Sequence, residues 1–434
     1  MSATQFTFYW LKIYVENDGV RQLIHCYVPA RANGEGEVFI ADTVEKKVFA
    51  NTSGVADQFS IPDDATEYET YPEDEEEPEA PESDPGVETG PFWVSASGSD
   101  EADGLSNLTP KATLEAVLDT LGENYAKIYV LPGTYKPTRE LVLSKAIQII
   151  GCPQKNAPVI IDGEKKRCPI TLDHADSLLT KVTVQNGTTS ETHLLGGCVL
   201  ITEKGGTVSD CILQDGRTDN RWNSSGGCLG MRGGLATRCI IQRGYCGSDV
   251  NGAVNHGAGV CLMDGVASNL LIMNNVTHAT VGEVVYLAGE AIILNSTVVR
   301  NKGALCGGIY LANNSSSKAY NCLIYGNEIY DEDPANDFNR VWRLNPKRYY
   351  NCAGDAEMAE GHDYIVLTDS PFRDYENGDY RPMRGSVIMD AGLSTIAGVT
   401  LPTVDLVGRA RIIGKGIDLG CYECASSGMQ IIVR

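Results

Sequence analysis

Between residues 215 and 256 the chain gathers side chains that could act on or hold a sugar. Asp215 and Asp219 are two carboxylates in one short segment, and hydrolysis of a glycosidic bond uses two carboxyls ~5–9.5 Å apart. Arg243, beside a calcium ion held by Asp249, would suit a different route, removal of the proton α to a uronate carboxyl. His256 adds an imidazole, a ring that can donate or accept a hydrogen bond. Interleaved with these are Arg217, Arg221, Trp222, Tyr245, Asn251 and Asn255. Their planar polar groups match sugar hydroxyls, and their rings match sugar C–H faces. Asn and Asp also form turns for reasons of their own, so the pattern points to a carbohydrate-binding edge ahead of any single catalytic assignment.

These residues must be carried by strands, because the sequence around them repeats. Gly-rich turns feed short apolar strands at 197–200, 227–229, 259–262, 283–287 and 308–311. Each is followed by a second strand, at 208–213, 236–241, 267–272, 294–299 and 319–324. Aligning Cys211, Cys239, Leu270, Thr297 and Cys322 gives spacings of 28, 31, 27 and 25. A period of this length built from strands and turns excludes helical solenoids and leucine-rich horseshoes and predicts a parallel β-solenoid. Coils stacked ~4.8 Å apart put Cys211 over Cys239 and Cys198 over Cys228 as small core hydrophobes, within disulfide range of each other. The insertions at 214–226, 243–258, 274–282 and 301–307 all follow the second strand. They therefore stack along one edge, which carries the candidate residues and His278.

The rest of the chain divides by composition. Its 434 residues allow up to three domains at ~150 residues each, or one long repeat. Of the net charge of −22, residues 61–90 carry 13 acidic groups with no Lys or Arg, leaving −9 for the remainder. That balance argues against a nucleic-acid partner, which needs clustered basic residues. The acidic stretch, with five prolines, reads as an extended linker. Residues 1–60 alternate apolar and polar positions around Asn-Asp-Gly and Asn-Gly-Glu-Gly turns, which predicts a small antiparallel sheet. Leu114, Val117, Leu118 and Leu121 predict a helix over 113–122 that caps the solenoid. No run reaches ~18 apolar residues and no secretory leader is read, so membrane insertion is not expected. Cys421-x-x-Cys424 lacks a second ligand pair, and the histidines show no HExxH-type spacing, so no metal centre is expected there.

Two resemblances sharpen this reading. Trp93-Val-Ser-Ala-Ser-Gly-Ser-Asp, Gly104-Leu-Ser-Asn and Pro110-Lys-Ala-Thr-Leu open the region. Asn377-Gly-Asp-Tyr-Arg381, Gly385-Ser386, Asp390-Ala-Gly392, Asp405-Leu and Arg411-Ile-Ile-Gly-Lys-Gly-Ile-Asp418-Leu-Gly-Cys-Tyr-Glu423 close it. Over residues 92–424 the chain resembles right-handed parallel β-helix proteins of the pectate-lyase-like superfamily, of the choice-of-anchor Q type. The superfamily's polygalacturonase pattern of NTDG, paired Asp, GHG and RIK is not found, and Asn255-His256-Gly257 is only a partial echo of it. Residues 22–54, with Cys26-Tyr27, Ala41-Asp42-Thr43-Val44 and Val48-Phe49-Ala50-Asn51, resemble a short module of phage tail-associated proteins.

The expected organisation is a small attachment module (1–60), a linker (61–90), a right-handed parallel β-helix (91–425) of about ten to twelve coils, and a short tail (426–434). The expected function is a phage tail fibre or tailspike-type protein that recognises a cell-surface polysaccharide. It would attach to a tail or baseplate protein through residues 1–60 and form a homotrimer, as the resemblance implies. The location would be the virion or a cell surface, since neither leader nor anchor is read. A bacterial surface adhesin is the alternative, and a polysaccharide lyase or glycosidase the second. No cofactor is expected for binding; calcium enters only with lyase chemistry.

Overall fold

Short apolar triplets separated by sharp corners fill residues 92–366, and in the computed structural model they wind into a right-handed parallel β-solenoid. The structure describes residues 87–189, 194–218, 224–247, 255–278, 282–304, 306–329, 348–355 and 364–424, and the backbone of four strands nearer the start. Those four, Leu11–Asn17, Val20–Arg31, Val38–Asp42 and Lys47–Phe49, pair antiparallel in sequence order. They belong to a separate unit, Met1–Asp84, while the solenoid forms the unit Pro85–Arg434. The solenoid begins slightly before residue 91, because Thr89 N–H already bonds Tyr125 O at 2.9 Å. Most of the acidic stretch and the tail lie outside the described residues.

Three parallel strands make one coil. The first face runs through Leu141–Leu143, Ile170–Leu172 and Val199–Ile201 to Cys306–Leu311. The second runs from Phe92–Val94 to Tyr349–Tyr350, and the third from Gly133–Tyr135 to Tyr364–Val366. About seven coils are complete, fewer than the ten to twelve that dividing the chain length by the period suggests. The remainder goes into the insertions, incomplete coils at both ends, and a closing segment that leaves the solenoid and folds along its side. Inside, Val184, Leu213, Ile241, Ile272, Val298 and Ile324 stack at one position of the third face, all fully buried. Helix α1, Leu114–Leu121, is the one α-helix among the described residues; Thr113 caps it by accepting the Ala116 N–H, and Leu114, Val117 and Leu121 face the core.

The corners correct the sequence reading in two ways. Each supposed second strand is two strands joined by a residue with left-handed backbone, for instance Thr207–Ser209 and Ile212–Gln214 around Asp210 at φ 53°. Arg238, Asn269, Asn295, Asn321 and Asn351 occupy the same corner with φ between 47° and 53°, and the predominance of Asn and Asp follows from their tolerance of this region. The stacked position is therefore Ser296 instead of Thr297. Ser296 Oγ accepts the Leu270 N–H at 3.1 Å, whereas Thr297 pairs with Leu271 and Leu323. A short hydroxyl able to bond backbone replaces the expected apolar group, so the pattern slipped by one residue. Cys198, Cys211, Cys228 and Cys239 are buried as expected, and no disulfide joins the described cysteines.

The closing segment covers the outer side of the last coils. Leu271, Val299, Leu323 and Ala353, on the outer side of the third face, form a second core with Leu367, Phe372, Tyr380, Ile388 and Leu419. In earlier coils the equivalent surface is polar: Gln242 donates to Gln214, and Gln214 to Gln185, at 2.8 and 3.0 Å. The corner asparagines hold the segment in place. Asn321 Nδ2 donates to Asn295 Oδ1 (2.9 Å) and Leu393 O (3.0 Å), and its Oδ1 accepts the Leu393 N–H (2.8 Å). Asn269 Nδ2 reaches Val404 O at 2.8 Å, and Asn351 Nδ2 donates to Ala391 O. Residues of the closing motif form a buried polar network. Arg411 bonds Asp418 O and Gly420 O and pairs with Glu423 at 3.1 Å, while Asp418 accepts the N–H groups of Asp390 and Cys424.

Two outcomes follow from this packing. Asn321→Ala removes one buried and two partly buried hydrogen bonds and should lower stability to urea by about 2–4 kcal/mol, with faster proteolysis in residues 367–424. Burial pushes Glu423 from 4.5 up to about 8, outweighing the nearby Arg411. The folded state thus holds a proton that the unfolded chain releases, a contribution complete below the ordinary glutamate range and lost as pH rises through about 8. Glu423→Gln should therefore gain stability relative to the native protein progressively between about pH 5 and pH 8 in thermal melts. A difference that does not change with pH would contradict the burial.

Candidate functional site

After the third strand the chain turns a second left-handed corner before entering the insertions. Asn186, Asp215 and Arg243 occupy that corner in successive coils, with φ of 53°, 54° and 53°. Two residues further on, Thr188, Arg217 and Tyr245 pair in register as a narrow parallel edge. The three corner residues and Arg217 and Tyr245 of the edge, with Lys165 and Gly216, line an open groove of about 310 Å³. Four residues singled out from the sequence, Asp215, Arg217, Arg243 and Tyr245, therefore meet in one place. Lys165 and Asn186 were missed. Asn186 holds the same corner one coil earlier, so the repeat extended backward would have found it.

Charge in the groove is arranged asymmetrically. Asp215 and Arg243 form a two-pronged ion pair, Nε to Oδ1 and Nη2 to Oδ2, each at 2.8 Å. This pairing raises the Arg243 pKa and uses two of the five guanidinium donors on Asp215. Arg217 lies over the Tyr245 ring, 5.5 Å from its centroid. The Tyr245 ring is wedged against Gly247, where a Cβ would sit 2.3 Å from the Tyr245 hydroxyl, so only glycine leaves it room. Neither Lys165 nor Arg217 makes an ion pair among the described residues. Among the described residues the groove thus presents three cations against one carboxylate, next to the amides of Gln185, Gln214 and Gln242.

The remaining candidates lie elsewhere. Asn255 is fully buried and bonds Gly247 O at 3.1 Å, so its amide belongs to the interior and not to the binding edge. His256 sits over the first face: its Nδ1 is 2.6 Å from Oε2 of the buried Glu283, and its ring stacks at 4.1 Å on Tyr286. Glu283 escaped the sequence reading because it opens an otherwise apolar strand, Glu283–Leu287. His278 lies 5.7 Å from the Tyr245 ring, at the edge of the groove. Asp219, Arg221, Trp222, Asp249 and Asn251 lie outside the described residues. Hence the expected Asp215–Asp219 pair and the calcium at Asp249 have no described geometry.

The protein is thus a parallel β-solenoid with a basic corner groove. No family model matches the chain, and no curated protein matches it. Among solved structures, it is similar to the pectate lyase Pel9A, with 12% identity and a TM-score of 0.33 over 78% of this chain and 96% of that one. It is also similar to the pectin methylesterase from Aspergillus niger (14% identity, TM-score 0.32, 66% of this chain and 89% of that one). A rhamnogalacturonan lyase is similar as well (13% identity, TM-score 0.29, 67% and 92%).

Proposed function

We propose that the protein binds an acidic polysaccharide along the corner groove and serves as a tail-fibre or tailspike-type component of a phage particle. The observation that carries the binding reading is the groove itself. Lys165 and Arg217 are left without ion pairs among the described residues, Arg243 is fixed by Asp215, and Tyr245 offers a ring beside them. Against a chain of net charge −22, this local concentration of cations favours the groove as the place where a polyanion docks. Uronate-bearing sugars supply both the carboxylates for these cations and the hydroxyls for the neighbouring amides. The tail-fibre reading is supported by the separate N-terminal unit, the acidic stretch that follows it, and the resemblance of residues 22–54 to a phage tail module. On that reading residues 1–60 dock to the tail or baseplate, and three copies assemble on the virion.

Calorimetric titration of the full chain against neutral and uronate-containing polysaccharides tests the binding reading. The acidic glycans should bind with an affinity that falls as salt rises. Arg217→Ala and Lys165→Ala should each weaken binding by about tenfold, roughly 1.4 kcal/mol, without lowering the melting temperature. Equal binding of neutral glycans, or unchanged affinity in Arg217→Ala, would contradict it.

A further inference from the structure

A carboxylate outside the groove anchors a chain of amides that runs beside it. Asp162 is buried at the end of the strand Val159–Asp162. Its Oδ1 accepts the Glu164 N–H at 2.8 Å, and its Oδ2 accepts Gln185 Nε2 at 2.8 Å and Asn186 Nδ2 at 3.0 Å. Gln214 Nε2 donates in turn to Gln185 Oε1 at 3.0 Å, and Gln242 Nε2 to Gln214 Oε1 at 2.8 Å. Burial works to raise the Asp162 pKa, but these donors and Lys136 bring it below its ordinary value, so the group is a carboxylate at neutral pH. A carboxylate only accepts. It therefore turns the nitrogens of Gln185 and Asn186 toward itself, and every amide further along follows the same sense. The chain ends at Gln242, because the next residue in the column is Met273, whose thioether has no donor. Asn186 Oδ1 and Gln242 Oε1 are thereby left open, and neither accepts a hydrogen bond among the described residues. Asn186 lines the groove, and Gln242 immediately precedes Arg243, which lines it too.

We infer that Asp162 is a positioning residue that fixes these two open acceptors next to the groove's cations, and that they select a ligand bearing hydroxyls beside its carboxylates. The inference rests on the proposed binding of an acidic polysaccharide and narrows it. Lys165 and Arg217 meet carboxylates, while Asn186 Oδ1 and Gln242 Oε1 take hydroxyl hydrogens. A uronate with free hydroxyls answers both demands. A polyanion whose oxygens only accept, such as polyphosphate or a fully O-acetylated uronate chain, satisfies the cations but sets its lone pairs against the amide oxygens. Charge alone gives the opposite dependence on Asp162, because deleting a carboxylate next to a cationic groove favours any anion. Asparagine at this position supplies a donor where only an acceptor stood. Gln185 and Asn186 are then free to reverse, and the amides behind Gln185 with them.

Calorimetric titration of the full chain with a uronate oligosaccharide, its O-acetylated form and polyphosphate reads the selection. The native protein should bind the free oligosaccharide about tenfold more tightly than the acetylated one. Asp162→Asn should abolish that preference, weakening the free oligosaccharide while polyphosphate binds as before or more tightly. Glu164→Gln removes a neighbouring carboxylate that is paired with Lys136 and Lys166 and takes no part in the amide chain, and it should keep the preference. A preference intact in Asp162→Asn, or a free oligosaccharide bound more tightly there, overturns the inference. Absence of binding of either oligosaccharide by the native protein overturns the reading of the groove itself, and the inference with it. Should Asp162→Asn fail to fold, Asn186→Gly suits the left-handed corner and removes one acceptor, and an unchanged preference in that variant contradicts selection by the amide oxygens.

Discussion

The solenoid depends on corners that turn through left-handed backbone and stack in register. Each coil passes two such residues, one between the second and third faces and one beyond the third. A β-carbon there crowds the following carbonyl, which is why Asn and Asp predominate. Because every coil turns at the same place, the side chains at the corners align along the axis and interact with their counterparts above and below. Asp210 with Arg238, and Asp215 with Arg243, are the charged versions of this contact, and Asn295 with Asn321 is the uncharged one.

The two corners are put to different uses. The first is covered in the later coils, where its asparagines bind the backbone of the closing segment and the outer side of the third face becomes apolar beneath that segment. The second, in the earlier coils, stays open. There the same repeat lines up Asn186, Asp215 and Arg243 beside Arg217 and Tyr245 to form the groove. The switch from glutamine to methionine, valine and tyrosine along one outer column of the third face marks in sequence where the cover begins. Position along the axis therefore decides whether a corner is covered or left open.

Much of this was legible in the sequence. Glycine-fed apolar triplets, cysteines at a regular spacing, and long insertions at one point of the repeat suffice to give the parallel solenoid and the edge that carries the groove. The corners were less legible, because a single Asn or Asp inside an apolar run does not announce left-handed backbone; hence two strands were read as one, and Thr297 was aligned where Ser296 stacks. The groove was found in part. Asp215, Arg217, Arg243 and Tyr245 converge as expected, but Asn255 turned inward and Lys165 entered from a turn that no repeat predicts. Glu283, buried beside His256, could be found only in three dimensions, since a lone glutamate at the head of a strand looks like a solvent-facing residue.

The central claim is that the open corner is where the ligand lies. Hydrogen-exchange mass spectrometry of the full chain, with and without a uronate oligosaccharide at saturating concentration, locates the contact directly. The account predicts slowed exchange at amides of residues 186–188, 215–218 and 243–247, with the second face and the closing segment unchanged. Protection confined to the second face, or to the covered corner, would contradict it.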